Sequence, residues 1–568
     1  MSIPADLEKV ITASGLSEGE FWRVVSEAHY AELVAQNRDH LLVFVDGQID
    51  FSELVAACAA YRAYAGERGQ EETHTVKQLC RAVVAKAVKG WSYRTAEEEI
   101  RSNELVRWFV GYDLHEPTPD HMTLWRFESW VKAHQPRLFF DGVLRAIDEA
   151  FPEEAQQAQI GDTFAMASRA REQSRTELMR MAAAKVLHHL EVATPAAYAQ
   201  LLGQVDGVGL FGTEEEKPER FLEKAERDAL ELRTGRAVHG LLCAVAPLLA
   251  ALPTNRDIAL AGLRQWYDVL HKALEDEFIV TTNTDGQLLT LAHPTERRKG
   301  RYRRGSAVDL DATFRIHGDF STFGYNINVA ATPTFIREIN AVTGATPDSS
   351  GVAPLIANQL EQLGLVPPKL IYDKAAGTPK IFAQVATASD HQTQLVARLV
   401  DYTKSRDHFG PLDFTLDDGL QLTCPAGQTT KERTYSGSAE GWNYRFRPAQ
   451  CADCPLFRQC RGPKGKVGTR RQVFINDYRY TQLKALAYTK TAAFQLDMAL
   501  RPNIERIIAG VTRYNDGRHA RGYGLVNADY QVKMAAMAYN LKRWHKIVQE
   551  QKQAQRYKPP PSVAIDGD

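Results

Sequence analysis

Long apolar runs are missing from this 568-residue chain. No stretch of about 18 apolar residues occurs, so no membrane span is expected. The first twenty residues lack a basic segment followed by an apolar one, which argues against a secretory leader and for the cytoplasm. Cysteine is scarce and odd in number, seven in all, which argues against a disulfide framework. A charge surplus is absent too. The net charge is −1, so bulk composition gives no sign of a polyanionic partner. Hydrophobic residues at 44% and charged ones at 24% are ordinary for a globular chain with a sizeable core. The length suits three or four units of roughly 100–200 residues each.

What is present is uneven. Between Cys424 and Arg521 there are 18 Lys and Arg against 7 Asp and Glu, a surplus of 11. A second basic block runs from Arg297 to Arg304. Acids gather earlier, at 148–154 and 214–219. Such asymmetry suits a polyanion bound by one part of the molecule, or else a solvated charged face.

Residues 1–150 carry apolar residues at helical spacing and are expected to form an all-α domain. Pro117 to Asp120 breaks the pattern, and Asp120 is placed to cap a helix over 121–134. A short helix pair with Thr123, Arg126 and Trp130 on the surface of the second would suit DNA contact; a plain helical bundle is the alternative. Residues 157–166 read as a strand, and about 168–300 as a largely helical insertion. Two strands joined at His317-Gly318-Asp319 are expected between Asp309 and Thr332. A helix over 351–364, stopped by Pro367-Pro368, and a buried strand ending at Asp373 follow. Strand, strand, strand, helix, strand is the order that begins an RNase H-like sheet. The fold class is therefore α+β: a mixed RNase H-like core over 157–384, interrupted at 385–480 by a cysteine-bearing insertion and completed by helices over 481–549. Residues 550–568 are expected to be a disordered tail.

Two-metal phosphoryl transfer needs a few carboxylates, remote in sequence, on strand ends or a facing helix. Asp162 ends the strand Ala158–Gly161. Asp373 follows the apolar run Leu370–Tyr372, where a charge is costly unless used. Glu505 lies on a helix rich in isoleucine, with Arg501 one turn before it. Asp309 and Asp311 are rivals. Each could equally be a cap, a turn residue or a surface ion pair, and spacing alone does not choose among them. The cysteines Cys424, Cys451, Cys454 and Cys460 have the form C-x26-C-x2-C-x5-C. Four thiolates can hold a structural Zn²⁺; unligated thiols are the alternative. Trp442, Arg445 and Arg447 lie among them, a mixture that suits stacking on unpaired bases and phosphate contact, or a small β core with a charged face.

In the same order along the chain, several segments resemble bacterial insertion-sequence transposases of the DDE type. Arg501-Pro-Asn-Ile-Glu505, the basic segment after it, Arg521-Gly-Tyr-Gly-Leu525 and Asn540-Leu-Lys-Arg543 resemble the terminal signature of that family. Pro119-Asp120-His121-Met122-Thr123 resembles its N-terminal motif, and Gly161-Asp162-Thr163 the motif of the first Asp. Asp309-Leu-Asp311-Ala with Gly324-Tyr325-Asn326 resembles its strand pair. Tyr372-Asp373-Lys374 resembles the motif of the second Asp, and the cysteine segment an insertion found in one branch. The likeness spans about residues 75–545. It departs from the pattern at Met498 for Tyr, Thr512 for Lys, and Ala375-Ala376 for Gly-Tyr.

The resemblance implies catalytic residues Asp162, Asp373 and Glu505 holding Mg²⁺ (or Mn²⁺), with Asp311 structural. It implies cleavage at the ends of a mobile element and joining of a 3′-OH to target DNA. Double-stranded DNA is the expected partner, a homodimer or larger assembly the expected state on DNA, and the nucleoid the expected place. Arg126, Lys374, Trp442, Arg445, Arg447, Arg501 and Arg513 are expected DNA contacts, with Arg501 alternatively in an ion pair. A catalytically inactive DNA-binding relative and a host nuclease of the same fold are the competing readings.

Overall fold

The computed structural model describes residues 5–67, 69, 73–252, 258–284, 286–294, 303–400, 408–462 and 464–556. Up to residue 150 the described chain is helix and turn. Its helices start where small polar side chains can take up free backbone N–H groups. Thr75 and Gln78 form a capping box on Val76–Lys89, which Gly90 ends at φ +71°. Ser92, Asn103 and Asp120 cap the next three helices, the last being His121–His134.

A six-stranded mixed sheet follows. Its strands are β1 (Gln159–Ala167), β2 (Thr313–His317), β3 (Phe320–Ala331), β4 (Ile336–Thr343), β5 (Lys369–Ile371) and β6 (Gln394–Val396). β3 pairs antiparallel with β1 on one edge, and with β4 and β2 along the other. β1 runs parallel to β5, and β5 parallel to β6. The expected turn at Gly318 joins β2 to β3, with Gly318 at φ +59°. The helix Val352–Leu363 ends at Gly364 in the left-handed region. That glycine stops the helix three residues before the prolines expected to do so. β6 lies ten residues beyond 384, so the sheet reaches into the stretch read as insertion.

Alternation along the strands sorts the two faces. Tyr325, Ile327, Val329 and Ala331 of β3, with Ile160 and Ile371, join one large apolar cluster with the N-terminal helices and the helices Asn503–Tyr514 and Leu525–Arg556. Ala330, Leu370 and Tyr372 face the other way, onto Val352–Leu363 and Pro379–Ala388.

The helix Leu525–Arg556 ties the N-terminal helices to the sheet. Its Trp544 meets Phe44 and Phe151 edge-on. Its buried Asn540 accepts from the Ile336 N–H and donates to the Ile336 carbonyl, both at 2.9 Å. The helix runs to Arg556, seven residues into the stretch expected to be a tail; residues 557–568 lie outside the described ones, as does most of the basic block at 297–304.

The insertion holds the helices Arg175–Ala193, Lys224–Ala251 and Ile258–Glu277, with a hairpin of Ile279–Thr282 and Leu288–Ala292. Lys224–Ala251 is long and apolar enough by composition to cross a membrane. Its Val238, Leu241 and Val245 are nevertheless in the insertion's own apolar core.

Replacing Asn540 by Ala strands two buried backbone groups, each worth about 1–3 kcal/mol. Asn540→Ala should destabilise the chain by roughly 2–5 kcal/mol in chemical unfolding; an unchanged midpoint would contradict this packing.

Candidate active site

The register between β1 and β5 decides what lies together. Ile160 stands opposite Ile371. Two residues on, Asp162 is still within β1 and Asp373 lies just past the end of β5 as the cap of a short turn, close enough to act on the Asp162 carboxyl. By alternation Asp162 lies on the face that carries Ile504, Ile507 and Val511, the inward side of the helix Asn503–Tyr514, which packs against β1. Glu505 sits in the first turn of that helix and is exposed. Arg501, just before the helix, reaches Asp162 Oδ2 with Nη2 at 3.1 Å. Its ion-pair partner is thus Asp162, not Glu505.

Burial raises the Asp162 carboxyl above the ordinary carboxylate range; Asp373 and Asp348 push the same way, while the Thr163 N–H and Arg501 oppose it. Asp348 was not singled out from the sequence. It accepts from the Asn326 amide at 2.8 Å and lies 3.4 Å from Arg315, which also donates to Thr163 Oγ1. In sequence, Pro347-Asp348 before a helix reads as an ordinary cap. Burial also holds the Tyr372 phenol far above its usual range, with Asp162, Asp348 and Asp373 adding to the effect. Its buried hydroxyl has no partner among the described residues. Gly161 is required beneath that ring, since a Cβ there would stand 2.6 Å from ring carbons of Tyr372.

The rival acids have other duties. Asp309, 1% exposed, accepts from Tyr325, Ser168 and the Gly524 N–H. Asp311 accepts from the Leu525 N–H at the start of the last helix.

The four clustered cysteines surround one small cavity of about 30 Å³, beside Phe414, Phe446 and Leu456. None forms a disulfide. Burial pushes the Cys451 and Cys460 thiols up, with neighbouring cysteines adding to it. Two small three-stranded sheets stand beside them; Cys424 follows a strand of one, and Cys451 and Cys460 lie on short helices. In the other sheet, Tyr444 and Phe446 are buried with Val473 and Ile475, as the small-core alternative expects. The Arg433 guanidinium covers the Trp442 ring at 4.3 Å. Arg445 is half-buried, and Arg447 is exposed near Glu432. Arg126, Lys374 and Arg513 are exposed. Trp130 is a correction: it is buried, not on the surface, because Tyr61 and Tyr64 pack over it and His134 stacks on it. Trp125 is the exposed tryptophan of that helix, on the rim of a cavity of about 700 Å³ shared with Arg169 and Arg521.

Two family models match the chain. One, described as "Transposase domain (DUF772)", covers residues 31–130, and the other, "Transposase DDE domain", covers 423–545. Together the two matches support an insertion-sequence transposase of the DDE type. The first match starts within the helix Glu18–Gln36 and contains Arg126, and the second contains the cysteines, Arg501 and Glu505. Asp162 and Asp373 of this transposase lie between the two. No curated protein and no solved structure matches. Its domains imply DNA as a partner and a transposition enzyme as the class.

The raised Asp162 pKa carries a sign. A group whose folded pKa is raised contributes stability fully present below the unfolded pKa and lost as pH rises through the folded pKa. Asp162→Asn should therefore melt higher than the unsubstituted transposase in chelator at about pH 7, and the gap should close below the carboxylate range. A lower melting point for the variant at neutral pH would contradict the assignment.

Proposed function

We propose that this transposase is an active, metal-dependent DNA nuclease and strand transferase, with Asp162, Asp373 and Glu505 as its carboxylates. The sheet order β4-β3-β1-β5-β6, with β1 antiparallel to β3 and parallel to β5, is the basis for reading the core as RNase H-like. The observation that carries the proposal is the closeness of Asp373 to Asp162, which lies on the face covered by the helix of Glu505. An all-oxygen donor set of few carboxylates suits Mg²⁺ or Mn²⁺. Bound there, divalent ions would activate the attacking oxygen and stabilise the leaving oxygen of an in-line displacement at phosphorus.

The chain's own residues orient and balance charge. Asp162 is fixed by strand pairing and Asp373 by its cap on the following turn, where it accepts from the Ala375 N–H. Arg501 offsets the Asp162 charge until a substrate or ion takes that role. Lys374, Arg126 and Arg513 offer exposed cations to phosphates. Arg445, Arg447 and Trp442 belong to the same surface in this reading, with Trp442 reached only if Arg433 swings off its ring. The donor set of four thiols around one cavity suits a structural Zn²⁺, held by Cys424, Cys451, Cys454 and Cys460. Synapsis of two element ends calls for at least a dimer, acting at the nucleoid in the cytoplasm.

The test is cleavage and joining of the element's own end sequences in Mg²⁺. Losing one metal-bridging carboxylate removes several kcal/mol of transition-state stabilisation, so Asp373→Ala should slow both steps roughly 10³-fold or more. Equal cleavage by the variant would remove Asp373 from the mechanism. Binding of ends with no cleavage by the unsubstituted chain would favour an inactive DNA-binding relative.

A further inference from the structure

The helical insertion contains a group of side chains that the nuclease reading does not use. Asp228 and Glu231 are three residues apart on the helix Lys224–Ala251, and His293 follows the strand Leu288–Ala292. Candidate ligand atoms of these three all lie within 4.8 Å of one another. Neither the sheet-end acids nor the cysteines are gathered as tightly among the described residues.

The local packing explains the convergence. Leu291 seats on Gly235, where a Cβ would stand 2.8 Å from the leucine side chain. His293, two residues on, projects from the same side of the strand. That step advances about 6.6 Å along the chain. Going back from Gly235 to Glu231 covers about 6 Å along the helix, so the imidazole arrives opposite the carboxylates. Phe278 packs on the ring at a centroid distance of 5.0 Å. Nε2 of His293 is buried with no hydrogen-bond partner and faces Glu231 Oε2 at 3.6 Å.

Charge balance leaves room for a cation. Glu231 accepts from Arg175 at 3.0 Å, and Glu277 pairs with Arg175 and with Arg303. Asp228 has no cationic partner among the described residues. Arg303 is shared with Glu172 as well, so two arginines face four carboxylates.

We propose that Asp228, Glu231 and His293 form a divalent transition-metal site that clamps the hairpin to this helix. One imidazole with two carboxylates favours Zn²⁺ or Mn²⁺ over Mg²⁺ or Ca²⁺. Around a tetrahedral ion with bonds of about 2.1 Å, ligand atoms lie about 3.4 Å apart, within reach of small side-chain adjustments here. Water completes the shell, since the protein supplies three ligands and Arg175 keeps its bond to Glu231.

The test is ion counting on the full chain, stripped with chelator, reloaded with Zn²⁺ and desalted, with thermal melting of the same samples. His293→Ala and Asp228→Asn should each carry one ion fewer per chain than the unsubstituted protein, and should lose part of its Zn²⁺-induced rise in melting temperature. The cysteines and sheet-end acids remain in every sample, so the difference reports this site alone. Asp373→Ala should keep the ion, which separates failure here from failure of the nuclease reading. Should His293→Ala not fold, Asp228→Asn decides, because among the described residues the Asp228 side chain makes no other hydrogen bond or ion pair. Equal ion content in Asp228→Asn and the unsubstituted chain would overturn the site.

Discussion

Two parallel strands with Ile160 opposite Ile371 set nearly everything that matters about the acidic site. β5 ends at Ile371 while β1 runs on to Ala167, so Asp373 caps the turn just past its strand close enough to raise the Asp162 carboxyl within the neighbouring one. The cost is burial of carboxylates at a sheet surface, which is why Asp162 is raised and why Arg501 leans on it. A one-residue slip in register would turn one acid to the opposite face. The pairing is held against slippage by apolar residues on both faces: Ile160 and Ile371 on one, Leu370 and Tyr372 on the other.

The helix Leu525–Arg556 extends that constraint to the rest of the chain. It packs on β4 and on N-terminal helices, and Asn540 binds the backbone of Ile336 from its middle. Segments matched as separate transposase domains, 31–130 and 423–545, therefore share one apolar core with the strands between them. DNA gripped by exposed cations of the N-terminal helices would be held in fixed relation to the acids. The insertion stands apart from this core with an apolar cluster of its own.

Much of this was legible in the residues, for identifiable reasons. The turn at Gly318 and the cap at Asp120 are local chemistry, and both stand where turn and cap residues put them. Asp162 and Asp373 stood among several candidate acids near strand ends, and only the family resemblance singled them out. Their adjacency was not legible, since it depends on which strands pair and in what register. Trp130 was misjudged because helical spacing does not say which neighbours cover a face; Tyr61 and Tyr64 do. Asp348 escaped notice because its role comes from Asn326 and Arg315, both remote in sequence. The last strand of the six-stranded sheet, Gln394–Val396, is three residues long, too short for alternation to register.

The account rests on Asp162, Asp373 and Glu505 sharing divalent ions. Anomalous diffraction from crystals of the DNA-bound chain soaked in Mn²⁺ tests this most directly. The account predicts a manganese peak bridging the Asp162 and Asp373 carboxylates, with Glu505 ligating an ion at the same centre. A map with no peak between the two aspartates, or with Arg501 still bonded to Asp162 and Glu505 turned to solvent, would contradict it.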